Sequence, residues 1–424
     1  MKVLWISASF SAMAKEVLFG QKNTHGSGNW IDDEAAALLE GNELEELVII
    51  SSRSKQRRIA TDHKITYIDL GLGSNVAASR FRLEKLHDAI RVTLKNVSPD
   101  IVQVWGTESP VSCVAMQCAR EAGISSILCP QGLVASLLHF PNGCVSAREM
   151  CGMSALDWLK MPFFNATKRT YRKHALYEAK SIELAEYVLS DNQWTFDYCS
   201  CFNPSIRTLW YPLPVNESFT KKRWSFDGCT PHTILSVSPR SSYKGQHVLI
   251  RALARVKARY SDVKVCFPAM AEKMRGRVAN SLKRTPYNSM LLRLIEQHGL
   301  QENVVFLDRL SPNDLAKVMC ECNVFVNPSV IESNCMSLRE AMWMGMPVIS
   351  AFTGSIQEYL DNEENGILYR YEEDEILARE LERLFESPRK CERLGEHARA
   401  SMIAFYKDDR QLIDLYREVL CARG

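Results

Sequence analysis

Glu332 and Glu340 stand eight residues apart, in a stretch whose order suggests chemistry. A carboxylate accepts two hydrogen bonds well, which suits the vicinal hydroxyls of a ribose or hexose. Residues 324–327 form a short apolar run and read as a buried strand. A loop, 328–336, follows its carboxyl end. Ser337-Leu338-Arg339-Glu340 fits the S-x-x-E capping-box pattern, so the sequence predicts a helix from Ser337. Gly345 and Pro347 would end that helix before a strand at 347–350. Backbone N–H groups of Met336, Ser337 and Leu338 would then be free at a helix N-terminus, where the dipole favours an anion such as a diphosphate. The plainer alternative is that Glu340 only caps its helix, contributing about 1 kcal/mol, and that Glu332 is a surface loop residue.

A second group is cationic. Residues 233–237 read as a strand, 246–260 as a helix, and Arg240, Lys244 and Gly245 lie in the loop between them. Two cations here suit phosphate, or simply flank a turn. Near the start, Gly26 and Gly28 sit in a loop between strand 3–7 and helix 31–39, where small residues let a ligand approach the backbone. Glu108 follows strand 101–105, and Gln131 follows the apolar run 127–130. Ligands of open α/β sheets bind beyond the carboxyl ends of strands, so both are candidates for facing a ligand cleft between domains, and the resemblance described below makes them acceptor-side candidates. His139 lies nearby, but a lone histidine is more often structural.

These residues need a scaffold. Short apolar runs at 3–7, 47–51, 65–69, 101–105, 126–129 and 187–190 alternate with amphipathic helical stretches. A second set follows at 233–237, 263–267, 304–307, 324–327 and 347–350. Non-alternating runs suit strands buried on both faces of a parallel sheet, and the intervening stretches suit crossover helices. The expected fold is therefore α/β, with two doubly wound, Rossmann-like domains in tandem. The extended segment 210–216, with Pro212 and Pro214, breaks helix and marks the boundary. The expected domains are 1–213 and 214–404, with a final helix within 405–424 packing back on the first.

The 424 residues exceed one ordinary core, which agrees with two domains. A net charge of +2 gives no reason to expect nucleic acid. The 14 cysteines are scattered. Their close pairs, Cys199/Cys201 and Cys320/Cys322, are C-x-C rather than the C-x-x-C of structural zinc sites. Reduced thiols in a cytoplasmic protein are expected, with Met1 and Lys2 running directly into a strand rather than a signal peptide. No apolar run reaches the roughly 20 residues of a membrane span. The basic stretch 168–174 reads either as a solvated helix face or as a peripheral contact with anionic head groups at the inner face of a membrane.

Taken in order, Asn-Pro-Ser-x-x-Glu332, Ser337-Leu-x-Glu340-Ala-Met, Gly345-Met-Pro-Val-Ile-Ser, Gly354-Ser-Ile-Gln-Glu358 and Asn365-Gly366-Ile-Leu-Tyr resemble the donor-binding signature of glycosyltransferase family 4, in its bacterial polysaccharide-biosynthesis branch. The resemblance implies the GT-B fold, with the two domains facing each other across a cleft, and transfer of a hexose-type sugar with retention of configuration. The donor would be a nucleoside-diphosphate sugar, such as a UDP-sugar, and the acceptor a glycan or lipid-linked saccharide. Glu332 matches the residue that contacts donor-sugar hydroxyls, and Glu340 the one that binds the ribose. Lys244 and Arg240 match the cations on the departing diphosphate, although Arg240 is nearer Lys244 than is usual. Gly26 and Gly28 match the loop that closes on donor and acceptor. Asp308-Arg309-Leu310 stands where glycine is common, against the nucleobase, so Arg309 and Leu310 are donor-binding candidates, and Arg309 would either change base selection or simply cover the base. Many relatives carry histidine where Gln131 stands.

No Asp-x-Asp motif occurs, so no metal and no cofactor are expected. Two other readings share the ligand: a non-catalytic sugar-nucleotide-binding protein, and a sugar-nucleotide 2-epimerase of the same architecture. A dinucleotide dehydrogenase is disfavoured, because no strand feeds a G-x-G-x-x-G turn.

Overall fold

The computed structural model describes residues 1–21, 30–41, 43–73, 80–237, 241–270, 274, 284–407 and 410–422, without the side chains of 80 and 163–168. Arg240, Gly26 and Gly28 lie outside the described residues. The chain forms two compact units. One comprises Met1–Ala135, Tyr171–Leu213 and Asp409–Gly424, the other Ser136–Thr170 and Pro214–Asp408.

The first unit holds β1 (Lys2–Ser7), β2 (Glu46–Ser51), β3 (Arg58–Asp62), β4 (Ile65–Asp69), β5 (Ile101–Trp105), β6 (Ser125–Cys129), β7 (Tyr187–Ser190) and β8 (Arg207–Trp210). They pair in the order β3-β4-β2-β1-β5-β6-β7-β8. Only β3 runs antiparallel, along β4. Sequence inspection missed β3 and β8. Both are edge strands with mostly exposed residues, so neither carries the apolar run that marks a central strand.

Helix Leu412–Cys421 belongs to this unit. Its Leu412, Leu415, Tyr416 and Val419 share a core with Val3, Trp5, Trp105 and Tyr211. The Trp5 indole donates to the Tyr416 hydroxyl at 2.8 Å, which donates to Gln103 Oε1 at 2.6 Å. Buried Gln103 on β5 thus has a partner only because this helix supplies one.

The second unit holds β9 (Thr233–Leu235), β10 (Lys264–Phe267), β11 (Val304–Phe306), β12 (Val324–Asn327), β13 (Val348–Ala351) and β14 (Ile367–Tyr369). The order is β11-β10-β9-β12-β13-β14, parallel throughout. Strand order reverses at the β9/β12 pair, and a doubly wound sheet binds its ligand at such a point, beyond the carboxyl ends.

Segment 136–170, which the sequence placed in the first domain, packs into the second unit. Val145, Met150, Cys151 and Met161 join that unit's core. Buried Asp157 pairs with Arg293 at 2.8 Å, and the Tyr371 hydroxyl donates to the Gly143 carbonyl at 2.8 Å. The strand–helix alternation gave no sign of this, because these contacts are made by side chains distant in sequence. Among the described residues, no helix is long and apolar enough to cross a membrane.

Candidate active site

Two neighbouring strands carry the predicted donor residues. Lys244 lies in the turn after β9, and Glu332 in the loop after β12. The Lys244 ammonium lies 2.7 Å from Glu332 Oε1, and the glutamate side chain is only 7% exposed. Burial works against the lysine's charge. The adjoining Glu332 carboxylate outweighs it, with Cys335 adding, so the ammonium's pKa lies above its ordinary value.

The Glu332 loop is clamped from both sides. Toward β9, the Val330 amide donates to the Tyr243 carbonyl at 2.8 Å. Gly245 sits at φ +67°, and a Cβ there would come within 1.7 Å of the Pro328 carbonyl oxygen. Toward β13, the Thr353 hydroxyl donates to Val330 O at 2.6 Å, and the Ser355 hydroxyl to Ser333 O at 2.6 Å. Gly354 sits at φ +52°, and a Cβ there would lie 1.8 Å from the Glu332 carbonyl oxygen. Both glycines supply backbone approach that no side chain allows. At the root of the loop, Asn327 donates to the Ser350 hydroxyl at 3.0 Å and accepts from Ser329 at 2.8 Å.

The following helix spans Met336–Met344, with Cys335 at its N-cap and no side-chain cap. The predicted capping box is therefore absent. The helix starts earlier than expected, so Ser337 lies inside its first turn and Glu340 more than one turn in, beyond reach of the cap amide. The Leu338 and Arg339 amides both donate to the Cys335 carbonyl. Leu338 is thus already engaged, and the diphosphate reading is left with the amides of Met336 and Ser337, which have no partner among the described residues.

Glu340 has no structural employment. No hydrogen bond or ion pair engages its carboxyl among the described residues. Though partly exposed at the surface, it is walled in enough for burial to push its pKa from 4.5 up to about 8. A desolvated, unpartnered carboxyl is costly, and such groups cluster where a ligand supplies the missing partner.

Sequence inspection missed Arg339. It is fully buried, its guanidinium 4.6 Å from the ring centre of Tyr359 and 4.7 Å from that of Phe405. This stacking fixes the helix that carries Glu340. Arg309, by contrast, is exposed and Leu310 partly buried, in a loop braced by the Met270 amide donating to Leu307 O at 3.0 Å.

In the first unit, Glu108 turns back on its own loop and accepts from the Thr107 amide at 3.0 Å. Gln131 is exposed. The organising residue here is Glu178, which no local pattern in helix Ala155–Leu184 reveals. Fully buried, it accepts from the Thr107 hydroxyl at 3.0 Å, the Val134 amide at 2.7 Å, the Ala135 amide at 3.0 Å and the Tyr198 hydroxyl at 3.0 Å. One carboxylate thus joins the loops after β5 and β6. Of the basic stretch, Arg169, Arg172 and Lys173 are exposed.

Residues 220–401 match the family model described as glycosyl transferases group 1. A D-inositol 3-phosphate glycosyltransferase of Corynebacterium urealyticum is 27% identical over 178 residues, covering 42% of this chain and 40% of that protein. The chain spans 36% to 42% of the length of such curated relatives. Among solved structures, sucrose-phosphate synthase from Thermosynechococcus elongatus aligns over 100% of both chains with a TM-score of 0.72 at 16% identity. HepE of Anabaena in complex with UDP-glucose aligns over 99% of this chain and 98% of that one, with a TM-score of 0.60 at 14% identity. At such identity the structural likeness speaks for the fold alone. The chain has the GT-B fold, and its similarity to the glycosyl transferases group 1 model is carried by residues 220–401.

Proposed function

We propose that the protein is a retaining glycosyltransferase that moves a hexose-type sugar from a nucleoside-diphosphate sugar to a glycan or lipid-linked saccharide. The observation that carries this reading is Glu340: a desolvated carboxyl with neither a capping role nor a partner among the described residues, on the helix whose Met336 and Ser337 amides have no acceptor among them either. Ribose hydroxyls would satisfy the carboxyl, and a diphosphate would satisfy the amides.

Departure of the diphosphate concentrates negative charge on the leaving oxygen. Lys244, held cationic by Glu332, stands ready to stabilise it, as preorganised charge does in other active sites. The leaving phosphate would accept the acceptor's proton during front-face attack, so no protein base is required. Glu332 would orient the sugar hydroxyls. Arg240 is assigned to the same phosphate by family resemblance. Transfer is proposed to need no metal ion. Work from the cytoplasmic side, with the basic stretch 168–174 near anionic lipid, fits a lipid-linked acceptor.

Thermal unfolding with UDP-, GDP- and ADP-sugars tests the donor, because a ligand of the folded state raises apparent stability by mass action. A stabilising donor should then give a new glycoside with a saccharide acceptor. Epimerised nucleotide sugar, or binding with neither transfer nor slow donor hydrolysis, would overturn the proposal.

A further inference from the structure

The first unit carries a cluster that sugar transfer does not use. Helices Arg80–Val97 and Pro110–Glu121 pack side by side on that unit's sheet. His87 comes from the first helix, and Cys118 and Glu121, three apart on one face, from the second. One ligand atom from each of the three lies within 4.8 Å of the other two. His87 Nε2 is 2.8 Å from Glu121 Oε2, and Cys118 is 2% exposed.

From this geometry we propose that His87, Cys118 and Glu121 form a binding site for a divalent cation of borderline softness, with zinc as the natural occupant. An imidazole, a thiolate and a carboxylate are all established zinc donors, and three protein ligands leave a fourth position for water. Around tetrahedral zinc, such donor atoms lie about 3.3–3.7 Å apart, so the present spacing closes by side-chain rotation alone. Glu121 can make that rotation, since its side chain is half exposed.

Two surrounding features support a cation. Gln117 Nε2 donates to Glu121 Oε1 at 2.8 Å, fixing one carboxylate oxygen while the other faces His87. Oriented carboxylates of this kind accompany metal ligands. A groove of about 520 Å³, lined by Leu94, Cys118, Glu121 and Ile124, reaches the cluster from solvent and provides entry and room for water. Arg91 and Lys95 also line this groove, and Arg91 is turned toward Asp88 at 3.5 Å. The bound ion would cross-link two helices and has no part in the transfer reaction, so this inference stands apart from the proposed function.

Cobalt(II) titration of the full chain, followed by absorbance, tests it. One equivalent should give the visible bands of tetrahedral cobalt and a thiolate-to-metal charge-transfer band, and zinc should displace both. Cys118→Ser should abolish the charge-transfer band, and His87→Gln should weaken binding at least ~10-fold. Gln117→Leu should weaken it about 10-fold, as loss of an orienting partner does. Cys320→Ser, a change in the second unit, should leave the titration unchanged. Absence of saturable cobalt binding, or a spectrum unaltered in both Cys118→Ser and His87→Gln, would overturn the proposal. Circular dichroism confirms that each variant is folded, and His87→Gln alters a partly exposed side chain, so it remains informative if Cys118→Ser destabilises the core.

Discussion

The Lys244 ammonium meets Glu332 Oε1 at 2.7 Å across two loops that follow adjacent strands of one sheet. The pair joins the two residues assigned to the leaving phosphate and the donor sugar. It keeps the lysine cationic in a desolvated place, and it holds Glu332 at the mouth of the sheet's switch point. A site with this contact is preorganised, because neither charge needs to be assembled when the donor arrives.

Removing the lysine should therefore have two separable effects. Lys244→Ala should lower the transfer rate at least ~10²-fold through lost charge stabilisation. It should also cost about 1–3 kcal/mol of stability by leaving Glu332 buried without its partner. Adding Glu332→Gln removes the orphaned charge, so the double variant should regain much of the stability and none of the activity. Urea unfolding and a transfer assay on the same samples check this. A double variant no more stable than Lys244→Ala alone would show that the pair is not energetically coupled.

Glu340 makes an opposite prediction for stability. Its folded pKa is about 8, against 4.5 in the unfolded chain. Between those values the unfolded state has released a proton that the folded state keeps. Stability contributed by the neutral carboxyl is thus fully present at low pH and falls as pH rises through this window. Glu340→Gln cannot ionise, so its advantage over wild type should be smallest at pH 5 and grow to about 4 kcal/mol at most by pH 8. The same variant should lose at least ~10²-fold in transfer and bind donor weakly. Denaturant midpoints measured from pH 5 to 8 give the test, and a constant difference between the two proteins would contradict it.

Gly354→Ala and Gly245→Ala probe the clamp on the Glu332 loop. Each position lies in the left-handed region, and each added Cβ meets a carbonyl oxygen of that loop. Strain and displacement together should cost about 2–4 kcal/mol. Transfer should fall further than stability explains, because Glu332 itself moves. Ala at Gly299, also left-handed but with open space around it, should cost less and leave activity intact. Equal behaviour of all three variants would remove the clamp from the account.

These comparisons show where sequence was legible. The inner strands of both sheets announced themselves as apolar runs, because both of their faces are buried. Edge strands β3 and β8 did not, since exposed residues dilute the pattern, and edge strand β14, only three residues long, was missed as well. The loop proposed for the donor stood out because its glycines, its Asn327-Pro-Ser root and its two glutamates are all local. The capping box was misleading: Ser337 and Glu340 have the right spacing, yet the helix starts before them and Cys335 takes the cap. Arg339, Glu178 and the attachment of 136–170 to the second unit were invisible. Each depends on partners far away in sequence, such as Phe405, Val134 or Tyr371.

Glu178 offers the sharpest test of that invisible part. Its Oε2 accepts from Thr107 and the Val134 amide, and its Oε1 from the Ala135 amide and Tyr198. Burial raises its pKa, the four hydrogen bonds opposing that without cancelling it. Glutamine is nearly isosteric, but whichever oxygen becomes NH₂ then faces a backbone N–H. Either way the loop after β6 loses one of its two anchors, whereas the Thr107 hydroxyl after β5 can turn to accept. Glu178→Gln should therefore destabilise the first unit by about 1–3 kcal/mol, the cost of leaving a buried donor unsatisfied. Donor affinity should be unchanged, since the residues proposed to bind the donor lie in the second unit, whereas the acceptor KM should rise if Glu108 and Gln131 line the acceptor side. Steady-state kinetics with each substrate varied in turn separates the two. A rise in donor KM with acceptor KM unaffected would place this loop pair on the wrong substrate.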